Sequence, residues 1–132
     1  MKILITGAAG FIGSHLAEAL IAQGNRVVGI DNFMDYYPRR FKEKNLEGLR
    51  SQAAFEFIEA DLLDTDLVAL VKPLDAVIHL AASSLVGESM EDPGKYFENN
   101  LVGGVNLLEE SAAAGAKRFV LSSTAATYGE PK

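Results

Sequence analysis

The first residues with a chemical signature are three glycines spaced three apart, Gly7, Gly10 and Gly13, which follow a short apolar segment. This pattern is typical of a strand-to-helix turn that holds the phosphates of a dinucleotide. Gly7 permits the tight turn, Gly10 lets a pyrophosphate approach the backbone, and Gly13 lets the helix pack close to the strand. The first turn of the following helix then offers backbone amides and a positive dipole end to the phosphates. A tight turn without a ligand is the alternative.

An acidic residue, Asp31, ends the second apolar segment 18 residues beyond Gly13. A carboxylate at the end of such a strand accepts hydrogen bonds from a ribose hydroxyl and repels a 2′-phosphate. We therefore expect the dinucleotide to be NAD rather than NADP. Arg39 and Arg40 lie close enough in the sequence to accommodate a phosphate. We favour a solvated helix start for them, because the first of them follows the strand by eight residues.

Short apolar runs alternate with amphipathic stretches along the chain, and this alternation predicts the elements that position these residues. The predicted strands are Lys2–Thr6, Arg26–Asp31, 55–60, 76–80 and 118–122, and the predicted helices are Phe11–Ala22, 41–49, 64–71 and 96–114. Several strands are nearly continuous apolar runs, as expected of parallel strands that are covered on both faces. We expect an α/β fold, a Rossmann-like doubly wound parallel sheet with right-handed connections and the strand order 3-2-1-4-5.

Length and charge restrict the class of protein. The chain has 132 residues, 48% of them apolar, and we expect one domain over residues 1–132. Twelve basic and eighteen acidic residues give a net charge of −6, which argues against a nucleic-acid partner. The absence of cysteine excludes disulfides, thiolate metal sites and cysteine nucleophiles. Because neither a secretory signal nor a membrane-spanning apolar run is visible, we expect a cytoplasmic protein without a membrane partner.

Five segments together resemble the extended short-chain dehydrogenase/reductase superfamily, and they lie at the glycine loop and at the later strand ends. They are residues 6–13 (TGAAGFIG), 31–33 (DNF), 60–62 (ADL), 79–82 (HLAA) and 121–129 (LSSTAATYG). Within that superfamily the chain is most similar to NAD-dependent nucleotide-sugar epimerases. Residues 84–89 and 96–100 resemble UDP-glucose 4-epimerases, whereas residues 35–38 and 42–46 look more like UDP-glucuronate 4-epimerases. The resemblance therefore leaves the sugar open.

The resemblance implies specific roles for residues at these positions. It places Gly7, Gly10, Phe11, Ile12 and Gly13 in the pyrophosphate loop, Asp31 and Asn32 at the adenosine ribose, and Asp61 and Leu62 at the adenine. It places Leu80, Ala81 and Ala82 beside the nicotinamide half and Asn99 on a helix that supports the cofactor site. It implies that Thr124 is the catalytic residue that hydrogen-bonds the sugar 4-hydroxyl. Simpler roles stay open: Asp61 as a helix cap, Asn99 as an exposed helix residue, and Thr124 as a strand-end hydroxyl bonded to the backbone.

The family's acid–base pair, a tyrosine followed four residues later by a lysine, begins a helix further along the chain than Thr124. Only eight residues follow Thr124 here, so we expect this chain to lack that helix and the substrate domain. Tyr128 and Lys132 have the same spacing, but Gly129 and Pro131 oppose a helix between them. The resemblance therefore implies that the chain is the NAD-binding part of a UDP-sugar 4-epimerase-like protein, and we expect it to be inactive by itself.

Several alternatives remain open at this point. The chain is also compatible with an NAD-binding half-domain without catalysis or with a purely structural fragment, and dehydratase, decarboxylase and reductase relatives share the same first half. We expect the fifth strand to form a sheet edge. The apolar side chains Phe97, Leu101, Val105 and Leu108 cannot all face the sheet at once. We therefore expect a homodimer, formed through the 96–114 helix or through the fifth-strand edge.

Overall fold

A computed structural model describes residues 1–63, 66 and 72–130 of the chain. Within these residues the elements are β1 (Lys2–Thr6), α1 (Phe11–Ala22), β2 (Arg26–Asp31), α2 (Arg39–Arg50), β3 (Phe55–Glu59), β4 (Ala76–His79), α3 (Val86–Glu91), α4 (Pro93–Tyr96), α5 (Gly103–Ala113) and β5 (Arg118–Leu121). A π-helix, Phe97–Val102, joins α4 to α5, and a 3-10 helix, Ala125–Tyr128, follows β5. The helix predicted over 64–71 lies outside the described residues.

The five strands form one parallel sheet in the order β3-β2-β1-β4-β5, which confirms the predicted order. The central strand β1 pairs with β2 on one side and with β4 on the other, so that Thr6 lies between Ile30 and His79. The chain runs from β1 outward to β3 and then crosses back to β4. In such sheets a crevice opens beyond the carboxyl ends of the strands where the direction reverses.

Both faces of the sheet are covered by helices, and this explains the continuous apolar runs in the strands. Because side chains alternate along a strand, Ile3 and Ile5 of β1 point to one face, in a cluster with α1 and α2. Leu4 points to the other face and joins the cluster that contains Leu107 of α5. The carboxyl end of β1 is thereby held rigidly between two packed layers.

The prediction of one regular α-helix over residues 96–114 is wrong in where the helix starts and in its hydrogen-bond pattern. The helical run begins at Pro93, and its middle, Phe97–Val102, is π-helical. The predicted apolar stripe turns away from the sheet: Phe97 is 65% exposed, and Leu101, Val105 and Leu108 are also exposed. The buried face carries Leu107 with the small residues Gly103 and Ser111. Small side chains let α5 lie close to the sheet, so that the larger apolar residues point outward.

Among the described residues, no helix is long and apolar enough to cross a membrane. The same part of the chain contains no group of three or more His, Cys, Asp or Glu side chains placed to hold a metal ion.

Candidate functional site

A cleft of about 220 Å³ opens at the carboxyl edge of the sheet, around the end of β1. It is lined by the glycine loop, by the ends of β2, β3 and β4, and by the π-helix. The predicted cofactor residues that line it are Gly7, Gly10, Asp31, Asn32, Asp61, Leu62, Leu80, Ala81, Ala82 and Asn99. Segments far apart in the sequence converge here because the carboxyl ends of parallel strands meet at one edge.

Four predicted residues do not line the cleft. Gly13 is buried beneath the loop, and the side chains of Phe11 and Ile12 are exposed. Thr124 is also exposed, and its Oγ1 accepts a hydrogen bond from the amide of Ala126 at 3.1 Å, as the cap of the 3-10 helix. This is the backbone role considered as the simpler alternative, and catalysis by Thr124 stays a prediction.

Two positions of the glycine loop, Gly7 and Gly13, lie so close to neighbouring backbone atoms that only glycine fits there. Gly7 has a φ of +70°, and a Cβ there would lie 3.0 Å from the amide nitrogen of Ala81. A Cβ at Gly13 would lie 2.3 Å from the carbonyl oxygen of Gly7. The first glycine therefore makes the turn beside β4, and the third lets α1 sit directly against that turn.

The start of α1 presents backbone amides toward this edge. The first intrahelical bond runs from the amide of Ser14 to the carbonyl of Gly10 at 3.0 Å. The amides of residues 11–13 precede that bond and have no place in the helical ladder. Within the described part of the chain, no side chain caps this helix and no acidic residue lies in its first turn. An anion is the partner that such a helix start favours.

Asp31 is buried at the end of β2 and is held from three directions. Its Oδ1 accepts the amide of Phe33 at 2.8 Å and the ammonium of Lys42 at 3.0 Å. Its Oδ2 accepts the amide of Ala9, in the glycine loop, at 3.2 Å. A carboxylate has about four acceptor positions, so one remains for a further donor. Asp31 thus has a fixed orientation and retains capacity for a ribose hydroxyl.

Lys42 is a cleft-lining residue that sequence reasoning did not place in the site. It lies on the same face of α2 as Leu46 and Leu49, and its side chain is only 9% exposed. A lysine on the buried stripe of an amphipathic helix is the signal that identifies it, because a buried charge needs a partner. That partner is Asp31, so the cleft wall contains a buried ion pair and not a lone carboxylate.

Tyr37 lines the cleft beside this ion pair. The ammonium of Lys42 lies 5.5 Å from the centre of its ring. Burial and, to a smaller extent, the charge of Asp31 raise the pKa of the Tyr37 phenol. The hydroxyl therefore stays protonated at neutral pH and remains a hydrogen-bond donor inside the cleft.

The ends of β2 and β3 are joined by the side chains of Asn32 and Asp61. Asn32 donates from Nδ2 to Asp61 Oδ2 at 2.8 Å. Asp61 Oδ1 also accepts the amide of Leu63 at 2.9 Å, which makes a local turn. The helix that Asp61 would cap lies outside the described residues. Both side chains are therefore oriented by protein contacts at the cleft wall.

The ends of β1 and β4 are joined by a buried hydrogen-bond network. Thr6 Oγ1 accepts the amides of Leu80 and Ala81, each at 3.2 Å, and lies 2.6 Å from Nδ1 of His79. Because the two lone pairs of Oγ1 already accept these amides, we assign the hydroxyl proton to the bond with Nδ1, which places the ring proton of His79 on Nε2. Burial lowers the pKa of His79, which favours this neutral form.

The segment after β4 is held by Asn100, another residue that sequence reasoning did not assign. Its side-chain oxygen accepts the amide of Ser83 at 2.8 Å, and its Nδ2 donates to the carbonyl of the same residue at 2.8 Å. Asn99, which lines the cleft, donates to Asn100 Oδ1 at 2.9 Å. The π-helix thus fixes the cleft wall that residues 80–84 form.

Arg39 begins α2 outside the cleft lining. It donates to both carboxylate oxygens of Glu59, each at 2.7 Å, and to Glu43 at 2.9 Å. Its guanidinium carbon lies 3.9 Å from the centre of the Phe33 ring. Two carboxylates therefore already compensate this charge, in agreement with the solvated helix start favoured from the sequence.

Comparisons with known proteins agree with this geometry. The profile of the NAD dependent epimerase/dehydratase family matches residues 3–132. Similar curated proteins include the UDP-glucose 4-epimerases of Halalkalibacterium halodurans, 42% identical over 134 residues, and of Yersinia enterocolitica, 40% identical over 136 residues. The alignments cover 99% and 100% of this chain but 37% and 39% of those proteins, so the chain spans less than half of their length.

Solved structures show the same relationship. The UDP-glucuronic acid 4-epimerase from Bacillus cereus, in complex with UDP-glucuronic acid and NAD, matches with a TM-score of 0.92 and 42% identity over 100% of this chain and 43% of that one. The UDP-Glc/GlcNAc 4-epimerase from Campylobacter jejuni matches with a TM-score of 0.85 and 41% identity over 99% and 39%. With its Rossmann-like sheet and glycine loop, the chain belongs to the NAD dependent epimerase/dehydratase family.

Proposed function

We propose that this chain is the NAD-binding portion of a UDP-sugar 4-epimerase. The observation that carries the proposal is the convergence of the α1 start, the oriented carboxylate of Asp31 and the β3 and β4 ends on one cleft. This is the chemistry that a dinucleotide needs: an anion site for the pyrophosphate and an acceptor for a ribose hydroxyl. The similarity to epimerases solved with NAD supports the same assignment.

Different residues of the cleft would bind different parts of the cofactor. The amides of residues 11–13 would hold the pyrophosphate, and Asp31 would accept the adenosine ribose, with Asp61 and Leu62 at the adenine. Leu80, Ala81 and Ala82 would form the wall at the nicotinamide end. When bound, NAD supplies the acceptor for a hydride from the sugar.

Catalysis needs more than this cleft contains. Thr124 is the residue of this chain that we propose to contact the UDP-sugar, and its hydroxyl proton is available because Oγ1 accepts from Ala126. Among the described residues, Tyr128 is 91% exposed in a 3-10 turn, so we do not assign it the role of moving the sugar proton. The identity of the sugar and a cytoplasmic location remain predictions from the sequence.

Calorimetric titration of the purified chain with NAD, with NADP in parallel, tests the proposed function. We expect NAD to bind in the micromolar range and NADP much more weakly, because Asp31 would face the 2′-phosphate of NADP. Equal affinity for both cofactors would remove Asp31 from this role. No heat with either would contradict the proposal and favour the structural-fragment alternative.

We also propose that the chain forms a homodimer. Two observations support this: the apolar side chains of Phe97, Leu101, Val105 and Leu108 are exposed, and β5 lies at the edge of the sheet that the described strands form. We expect sedimentation equilibrium to give a dimer across the micromolar range. If the helical run over residues 96–114 forms the interface, then Leu101→Glu, which places a charge on its exposed face, should give a monomer. A monomer of the unchanged chain at all these concentrations would contradict the proposal.

A further inference from the structure

A second cluster of side chains, with Glu88 at its centre, adjoins the cleft through Tyr36, which lines it. The carboxylate of Glu88 accepts from the ammonium of Lys95 at 2.5 Å and from the hydroxyl of Tyr96 at 2.7 Å. It also accepts from the hydroxyl of Tyr36 at 3.1 Å. We call these four residues the Glu88 cluster. None of them has a role in the predicted cofactor site.

The cluster connects two segments that rise from opposite sides of β1. Tyr36, which lines the cleft, belongs to the connection between β2 and α2, whereas Glu88 and Lys95 belong to α3 and α4, after β4. Two further contacts join the same two segments. The ammonium of Lys95 lies 5.3 Å from the centre of the Tyr36 ring, and Ser83 Oγ donates to Met34 Sδ at 3.7 Å. These contacts therefore join two segments that each contribute a residue to the cleft lining, Tyr36 on one side and Ser84 on the other.

These contacts are charged but accessible to water, and this makes them reversible. The Lys95 and Glu88 side chains are 34% and 32% exposed. Hydrogen bonds from Lys95 and Tyr96 lower the pKa of Glu88, so the carboxylate stays ionised at neutral pH. Among the described residues, α3 and α4 contain no buried side chain, so few apolar contacts hold them to the sheet. Segments of this kind open at low cost compared with the packed core.

We propose that the Glu88 cluster is a latch that controls entry and exit of the dinucleotide. When Glu88 holds Tyr36, the β2–α2 connection and the α3–α4 segment meet over the cleft. When the contact breaks, the two segments separate and the cleft opens. This inference rests on the proposed function, because it takes NAD as the occupant of the cleft.

A latch and a direct contact with the cofactor predict different effects of a substitution on the binding rates. Because both entry and exit require the open latch, Glu88→Ala should raise the association and dissociation rates by a similar factor. We expect about tenfold for each, the scale set by loss of a hydrogen bond to a charged group. The equilibrium Kd should change less than twofold. Tyr36→Phe, which removes only the hydroxyl, should change both rates in the same direction.

Stopped-flow fluorescence with NADH as the probe and excess NAD as the trap measures both rates. The matched control is Glu91→Ala, which removes an exposed carboxylate from the same helix and should leave both rates unchanged. Rates for Glu88→Ala that equal those of Glu91→Ala would overturn the latch. An increase in Kd without a faster association would also overturn it, since that would indicate direct contact with the cofactor.

Amide hydrogen exchange without any cofactor separates failure of the latch from failure of the proposed function. We expect Glu88→Ala to raise exchange in residues 33–37 and 84–96 together, and Glu91→Ala to leave the 33–37 segment unchanged. Unchanged exchange in 33–37 for Glu88→Ala would overturn the latch even where NADH binds. No binding of NADH to the unmodified chain would overturn the proposed function, while exchange would still show whether Glu88 joins the two segments.

Discussion

The Gly13→Ala variant is expected to lose measurable NAD binding and to unfold at a much lower urea concentration than the unmodified chain. The added Cβ would lie 2.3 Å from the carbonyl oxygen of Gly7 and 2.8 Å from the Cα of Ala8. Both are backbone atoms, so relief of the contact requires a shift of the glycine loop itself. Overpacking of this kind costs about 1–3 kcal/mol, and we expect the upper end here because no flexible side chain gives way. Urea unfolding and calorimetric titration measure the two effects.

Gly48 is the matched control for this substitution. It lies in α2, and a Cβ there would meet nothing within 4 Å. Gly48→Ala should therefore stabilise the chain by up to ~1 kcal/mol through helix propensity and leave NAD affinity unchanged. A Gly13→Ala variant with normal stability and normal NAD affinity would contradict the close approach of α1 to the glycine loop.

The Lys42→Met variant is expected to lose about 3–5 kcal/mol of unfolding free energy, because it leaves a buried carboxylate without its partner. The Asp31 side chain is only 5% exposed, and its Oδ1 lies 3.0 Å from the Lys42 ammonium. Domains have total stabilities of about 5–15 kcal/mol, so the loss is a large fraction of the whole. Urea unfolding at neutral pH measures it.

Two further variants test whether the ion pair is the cause. Lys44→Met removes an exposed lysine from the same helix and should change stability by less than about 0.5 kcal/mol. The double variant Asp31→Asn with Lys42→Met removes both charges and should recover part of the loss, since no unpaired charge remains. If Lys42→Met proves as stable as Lys44→Met, then the buried ion pair does not hold the cleft wall.

The parts of the site that the sequence predicted are those determined by local geometry. The spacing of Gly7, Gly10 and Gly13 requires a turn between a strand and a helix, and Asp31 ends a continuous apolar run. The strand order follows from the alternation of strands and helices together with right-handed connections. The bounds of β1, α1 and β2 accordingly agree with the prediction residue for residue.

The parts that the sequence did not predict depend on contacts between distant segments. Lys42 joins the site because the packing of α2 brings it to Asp31, and Asn100 because the π-helix reaches Ser83. The short helix α3 buries none of its residues, so its apolar residues Val86 and Met90 are exposed and do not mark a core face. The outward direction of the 96–114 stripe follows from the small residues on the opposite face, and periodicity alone does not distinguish the two faces.

The most direct test of the central claim is to locate NAD on the chain by ¹⁵N NMR titration. We predict that saturating NAD shifts the amide signals of Gly10, Gly13, Asn32, Leu62 and Ala82, which belong to the α1 start and the ends of β2, β3 and β4. Signals on the exposed face of α5, around Leu108, should stay in place. Shifts confined to that face, with none in the glycine loop, would contradict a dinucleotide site at the carboxyl edge of the sheet.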